Sequence, residues 1–349
     1  MPSLRPPLAP MEALSVDEIP AGPDWQYEPK WDGFRCLIFR DGASVSLQSK
    51  AGKPLDRYFP EIVAAVQRIG RKRFVLDGEL AVPHGQAFSF DDLLQRIHPA
   101  ASRIAKLAAE TPAIFITFDL LADGDGVYTD RPLSERREKL EQFARSALAD
   151  HPHFRLSPAT TKLADARKWL RQVGATLDGI IAKRRDLAYL GGTRDGMQKI
   201  KNYRSADCVV GGFRYNEGKD VVGSLLLGLY NDDGKLDHVG FTSTIANADK
   251  KALTAKLKPL VGPPGFSGAA PGGPSRWSTA RSAEWVPLKP KLVVEVCYDH
   301  FSGDRFRHGT RLMRWRPDKA ARQCTFDQVK QAKGNVMKLL APKRPGARA

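Results

Sequence analysis

From residue 203 onward the chain turns into short strand-like segments, Cys208 to Phe213, Val221 to Tyr230 and Leu236 to Thr242, separated by turn residues, and Leu292 to Tyr298 follows with period-two alternation. Period-two alternation sends successive side chains to opposite faces of a strand. Such a segment buries its apolar face only by pairing into a sheet. Turn residues such as Asn231-Asp232-Asp233-Gly234 separate the segments, and one helical stretch, Ala248 to Leu257, interrupts them. Several short strands with one inserted helix predict a small barrel of the oligonucleotide-binding (OB) type. Val261 to Pro274, rich in proline and glycine and almost uncharged, reads as a flexible surface loop. Phe326 to Leu340 reads as a helix, followed by a basic tail within Lys338 to Arg348.

The first half has a different texture. Phe34 to Gln48 reads as strand, Asp41-Gly42 turn and strand. Arg73 to Val82, Ala113 to Leu121 and Gly179 to Ala182 are further strands, and Glu61 to Ile69, Ser134 to Leu148 and Leu163 to Val173 have helical spacing. In the last of these, Leu163, Ala166, Leu170 and Val173 form one apolar stripe ending at Gly174. The 349 residues suffice for two cores. The expected class is α+β: antiparallel sheets with flanking helices over residues 1–203, then an OB-fold β-barrel over 204–349 with a C-terminal helix and basic tail. A hinge is expected at Tyr203 to Asp207, and Met1 to Pro10 reads as an extended arm.

Charge narrows the partner. Lys and Arg number 55 against 39 Asp and Glu, for a net charge of +16 and a pI near 9.7. An excess of that size suits a polyanion, nucleic acid first and an anionic membrane surface second. No long uncharged apolar run or signal-peptide core supports the membrane. Cys36, Cys208, Cys297 and Cys324 lie far apart with no Cys-x-x-Cys pair. That spacing argues against a zinc cage or disulfide framework and fits a reducing cytoplasm.

The chemistry centres on Glu28-Pro29-Lys30-Trp31-Asp32-Gly33-Phe34-Arg35. A lysine amine is a nucleophile when deprotonated, and nearby cations or desolvation favour that form. Glu79, Asp119 and Asp178 lie on or beside predicted strands; Glu79 and Asp178 are candidate ligands, direct or through water, for a hard divalent cation in phosphoryl transfer. Lys199 and Lys201 alternate, so on a strand both face one side and can grip one phosphate chain. Arg311, Arg314, Arg316 and Lys319 form a second cationic group, and Phe118 can stack on a base. Each also has a plainer reading: a surface lysine, an exposed turn carboxylate, a solvated charged face, a core phenylalanine.

The order of these stretches carries a resemblance. Glu28 to Arg35, Asp77-Gly78-Glu79, Phe118-Asp119, Asp178-Gly179-Ile180-Ile181-Ala182-Lys183, Lys199-Ile200-Lys201 and Arg316-Pro317-Asp318-Lys319 resemble the six motifs of covalent nucleotidyltransferases. Over about Pro10 to Leu340 the chain looks most like the bacterial stand-alone ATP-dependent DNA ligases. That resemblance implies ATP and Mg2+ or Mn2+ as cofactors, with Lys30 taking AMP from ATP and residues 1–203 forming the adenylation domain. It implies that Glu28 contacts adenine, Phe118 stacks on it, and Arg35 meets the ribose and the 5′-phosphate of the nick. Glu79 would hold a ribose hydroxyl or metal water, Asp178 would serve the metal, and Lys199 with Lys201 would bind the α-phosphate. Arg316, Asp318 and Lys319 would orient pyrophosphate, and Arg35, Lys50 and Arg194 would meet DNA. Two positions depart from the pattern: Asp178 stands where glutamate is usual, and Lys50 where arginine is usual, without its bidentate fork. The implied partners are nicked or broken double-stranded DNA and a Ku-like end-binding protein, for a monomer at the bacterial nucleoid. An RNA ligase or capping-type enzyme shares the lysine chemistry, and a non-catalytic nucleic-acid-binding protein shares the charge.

Overall fold

A computed structural model of the chain, described over residues 4–149, 151–173, 177–272, 284–330 and 334–340, divides into two compact units. The first takes in Met1–Asn202 together with Gln331–Ala349, and the second is Tyr203–Lys330.

The first unit holds two main sheets. One runs in the order Leu14–Ser15, Met197–Lys201, Gly179–Arg184, Trp25–Lys30. The other runs Phe154–Leu156, Ile114–Asp123, Arg73–Ala81, Phe34–Asp41, Ser44–Ser49. Trp25–Lys30 is an edge strand, which is where a strand tolerates Pro29 and its missing donor. Alternation sorts the faces of the first sheet. Tyr27, Ile180, Ala182 and Ile200 are buried in one cluster, with Leu163, Ala166 and Leu170 of the helix Leu163–Val173 packed in. Most of the apolar stripe expected on this helix therefore packs into a core; the side chain of Val173 and residue Gly174 lie outside the described residues. Glu28, Lys30, Ile181, Lys183 and Lys199 occupy the alternate positions.

On the second sheet, Phe34–Asp41 and Ser44–Ser49 pair as the expected hairpin, with Asp41 opposite Ser44 and Gly42 at φ 60. The helix Pro60–Arg68 buries Ile62, Ala65 and Val66 against it. The helix Leu133–Phe143 buries Leu133, Leu140 and Phe143, and continues as a π-helical turn, Ala144–Leu148.

Among its described residues, the second unit is a barrel of five main strands, with the short strand Val286–Pro287 added beside Arg204–Tyr215. Val222–Tyr230 pairs with Leu236–Thr242 on one side and Arg204–Tyr215 on the other, and the latter pairs with Val293–Tyr298, which pairs with Arg311–Trp315. A bridge between Thr242 and Thr310 closes the ring, and the helix Lys250–Leu257 lies between the third and fourth strands. This is the OB arrangement.

Three expectations need correction. Among the described residues, Phe326 to Leu340 is not a continuous helix but holds two 3-10 turns, Phe326–Gln328 and Val336–Leu339, with residues 331–333 outside the description. Gly334-Asn335 breaks the spacing, and the Asn335 side chain caps the second turn by accepting from the Lys338 N–H at 3.1 Å. Val336 and Leu340 then pack with Trp31 and Phe88 in the first unit, not in the barrel. The stretch 261–272 is pinned rather than loose: Phe266 is buried in the barrel core against His238 and Trp285. Tyr203 to Asp207 is not a hinge, since Arg204 to Asp207 already pair with Tyr298 to Glu295 in the barrel; the extended arm, for its part, docks through Leu8, which exchanges two hydrogen bonds with the Gln48 side chain, at 2.7 and 2.8 Å. Residues 341–349 of the tail lie outside the described residues. No described helix is long and apolar enough to cross a membrane.

Gly179 fixes the register of the lysine strand. It adopts φ +150, and a β-carbon there would stand 2.0 Å from the Ile200 carbonyl oxygen. We expect Gly179→Ala to destabilise the protein by about 2–4 kcal/mol through strain and forced separation of these strands. Urea unfolding of the two proteins measures it.

Candidate active site

The two sheets of the first unit face each other across a cavity of ≈ 230 Å³, lined by Glu28, Lys30, Lys183 and Lys199 from one and Arg35, Glu79 and Phe118 from the other. Between them the chain turns at Trp31–Gly33. Gly33 passes so close to the second sheet that a β-carbon would meet the Leu80 carbonyl oxygen at 2.2 Å and Glu79 Cγ at 2.8 Å. No side chain fits there, and this closeness brings Lys30 beside Glu79.

Register sets the rest of the lysine's surroundings. Lys30 pairs with Gly179, which pairs with Lys201; Glu28 pairs with Ile181, which pairs with Lys199. Lys30 Nζ makes an ion-pair contact with Asp178 Oδ2 at the head of the neighbouring strand. Lys199 lines the cavity, and burial together with Lys30 and Lys201 lowers its pKa below the ordinary lysine value. Lys201 lies one pair further along the strand, on the same face.

Glu28 is 2% exposed, so its carboxylate needs partners. It has two: Gln26 Nε2 donates at 2.8 Å and Lys183 Nζ at 2.9 Å. Lys183 also sits 4.4 Å from the centroid of Phe118, with the Arg35 guanidinium carbon 4.5 Å from the same ring. Phe118 reaches this place through a bulge: Asp77 pairs with Asp119 and Gly78 with Thr117, leaving Phe118 without a partner across the ladder. A bulge re-aims a side chain beside a site. Arg35 is fixed by a fork onto Asp77, both contacts at 2.5 Å, and the Tyr189 hydroxyl donates to the same carboxylate at 2.6 Å.

Burial pushes the Glu79 carboxyl up to about 8, against the opposing pull of Arg35 and Lys30. Asp119 has a structural task, accepting from Arg136 Nε and Nη2 at 2.9 and 3.0 Å in the core. At the cavity mouth, Lys50 and Arg194 converge on Glu12, at 3.3 and 3.4 Å. The hydrogen bond from Lys50 holds Glu12 below the usual carboxylate range.

Arg316 and Lys319 belong to the second unit. Arg316 Nη1 donates to both Asp207 oxygens at 2.9 and 3.1 Å, its other edge engages Asp318 at 2.8 to 3.2 Å, and Lys319 Nζ reaches Asp207 at 2.7 Å. The hydrogen bonds from Arg316 bring Asp318 down to about 2.

Sequence reasoning missed Lys183, Asp77, Tyr189, Glu12 and Asp207. Lys183 and Asp77 carried a usable signal, because Lys183 follows Ile181 and Asp77 precedes Glu79 by two residues on a strand. Tyr189, Glu12 and Asp207 stand outside any periodic pattern.

Among the described residues, no three His, Cys, Asp or Glu side chains gather as a metal cage. Two carboxylates flanking a lysine still fit a magnesium-like ion, which keeps several waters and takes substrate phosphate oxygens besides one or two carboxylates.

A buried carboxylate, a ring beside the lysine that holds it, and a second lysine flanked by carboxylates and cations thus meet at one cavity. The chain belongs to the ATP-dependent DNA ligases: the profile of the ATP dependent DNA ligase domain matches residues 7–201, and that of the ATP dependent DNA ligase C terminal region matches 218–319. It is 49% identical over 341 residues to DNA ligase C2 of Mycolicibacterium smegmatis, covering 93% of this chain and 94% of that protein. It is 29% identical over 301 residues to the multifunctional non-homologous end joining DNA repair protein LigD of Mycobacterium tuberculosis, 84% of this chain and 36% of that protein. A solved structure from a study of DNA binding by Lig E DNA ligases superposes with a TM-score of 0.53 at 16% identity, over 88% of this chain and 100% of that one, a likeness of fold.

Two outcomes follow from the buried charges. Lys183→Met leaves Glu28 uncompensated and is expected to cost about 3–5 kcal/mol in urea unfolding, with most of it recovered when Glu28→Gln is added. For Glu79, the folded pKa of about 8 lies above the ordinary 4.5. The folded state therefore binds more protons between those values, and stability falls as pH rises through that window. Unfolding at pH 5 and pH 8 should show a smaller decline for Glu79→Gln than for the parent.

Proposed function

We propose that the protein seals nicks or aligned ends in duplex DNA during repair, through AMP carried on Lys30. What supports this reading best is the position of Lys30, held by Asp178 in a cavity it shares with Glu28, Phe118, Glu79 and Lys199. The family uses ATP, and the same cavity lysines can serve all three steps. Lys30 takes AMP from ATP, AMP passes to the 5′-phosphate of the break, and the 3′-hydroxyl displaces it as the strand is joined.

In this reading Glu28, oriented by Gln26 and Lys183, accepts from the amino edge of adenine, and Phe118 stacks on the ring. Lys199 and Lys201 neutralise the α-phosphate, and Arg35 contacts the ribose and later the 5′-phosphate. Glu79 and Asp178 would hold a magnesium or manganese ion, which when bound offsets charge on the phosphates. Arg316 and Lys319 receive pyrophosphate, and Lys50 with Arg194 exchange Glu12 for DNA phosphates. The domain roles follow as adenylation for residues 1–203 and DNA and pyrophosphate contact for the barrel beyond. Broken ends would be presented by a Ku-like end-binding protein, and the enzyme would act as a monomer in the bacterial cytoplasm.

The test is label transfer from α-phosphate-labelled ATP or GTP with a divalent metal, read on a denaturing gel. We expect label from ATP alone, its loss in Lys30→Ala, and sealing of a nicked duplex by the parent protein. Label from GTP alone would favour a capping-type enzyme, and no label from either would leave a nucleic-acid-binding protein.

A further inference from the structure

Arg316 and Lys319 reach the solvent face of the barrel with their geometry already set, and the residue that sets it is not one of the family-like motif residues. Asp207 lies on the first barrel strand, 8% exposed. Its one carboxylate accepts from Arg316 Nη1 and from Lys319 Nζ. Two cations that would otherwise repel are thereby held side by side at hydrogen-bond distance from a shared point. Asp207 is itself clamped: its N–H donates to Gln328 Oε1 at 3.0 Å, and its carbonyl accepts from Gln328 Nε2 at 3.1 Å. Asp318 differs on every count. It lies beyond the strand, its side chain is 64% exposed, and it covers the other edge of the same guanidinium.

We propose that Asp207 is a positioning residue for the first step, holding Arg316 and Lys319 as a preset pair for the pyrophosphate leaving group while Asp318 gives way to it. The inference rests on the reading of those two cations as pyrophosphate contacts given above. In that step the neutral Lys30 amine attacks the α-phosphorus of ATP and a nitrogen–phosphorus bond forms. The bond from that phosphorus to the bridging oxygen breaks, its electron pair leaves with pyrophosphate, and one amine proton passes to water. Charge builds on the departing pyrophosphate, so cations prearranged for it act on this step and on its reversal. Joining of DNA that already carries AMP has no pyrophosphate to hold.

Asp207→Asn keeps the size of the side chain and the backbone clamp by Gln328 and removes the charge. We expect lysyl-AMP formation from labelled ATP, and its reversal by added pyrophosphate, to slow about 10- to 100-fold. Sealing of a chemically pre-adenylated nick without ATP should stay within about twofold of the parent, since that step does not use the pair. Equal losses in both assays would reduce Asp207 to a structural residue and overturn the inference, as would unchanged rates in both. Arg316→Ala, assayed beside it, separates the two claims. Slow adenylation in Arg316→Ala with normal adenylation in Asp207→Asn sinks the role of Asp207 alone; normal adenylation in Arg316→Ala sinks the pyrophosphate reading itself.

Discussion

The register between Trp25–Lys30 and Gly179–Arg184 is the constraint on which the site depends. A strand has a side-chain period of two, so a slip of one residue would send Glu28 and Lys30 into the apolar layer under the helix Leu163–Val173. It would also expose Tyr27. The register is pinned from both sides: the apolar face must meet the helix, and Gly179 admits the Ile200 carbonyl where no other residue fits. Packing on one face thus fixes the chemistry on the other.

A second constraint acts across the cavity. The lysine strand and the Glu79 strand belong to different sheets, and only the three-residue passage Trp31–Gly33 separates Lys30 from the second sheet. Trp31 is buried and donates to Ser157 Oγ at 3.0 Å, so the passage is anchored at one end by an indole and at the other by the side-chain-free Gly33. The bulge at Phe118 adds the ring from the far side. None of these devices is catalytic, yet each sets a distance within the cavity.

The barrel was legible because its first four strands are apolar segments bounded by turn residues, the fourth with period-two alternation. Its fifth strand, Arg311–Trp315, was not read as a strand. It carries an extra residue, Met313, between the pairs Val296–Leu312 and Glu295–Arg314, so the alternation fails in the middle. The helix expected near the C-terminus shows the converse error: Phe326 to Leu340 has apolar spacing, but Gly334-Asn335 and the attraction of Val336 for another core prevail. At the site, Lys30, Glu79, Phe118 and Lys199 were legible because each lies in a short local motif. Glu12 and Asp207 were not, because their partners stand 38 or more residues away in sequence, and one sequence carries no record of such pairings.

The carboxylates beside these cations bear on what the net charge of +16 means. In the barrel, Arg314, Arg316 and Lys319 stand with Glu295, Asp318 and Asp207, three charges against three. At the cavity mouth Lys50 and Arg194 share Glu12. A cation that arrives with its own anion brings little net charge to a phosphate until that anion moves aside. The salt dependence of DNA binding, which counts phosphates neutralised, is then set mainly by lysines and arginines outside these clusters. On the proposed reading the escorted cations contribute direction instead, and a salt titration would undercount them.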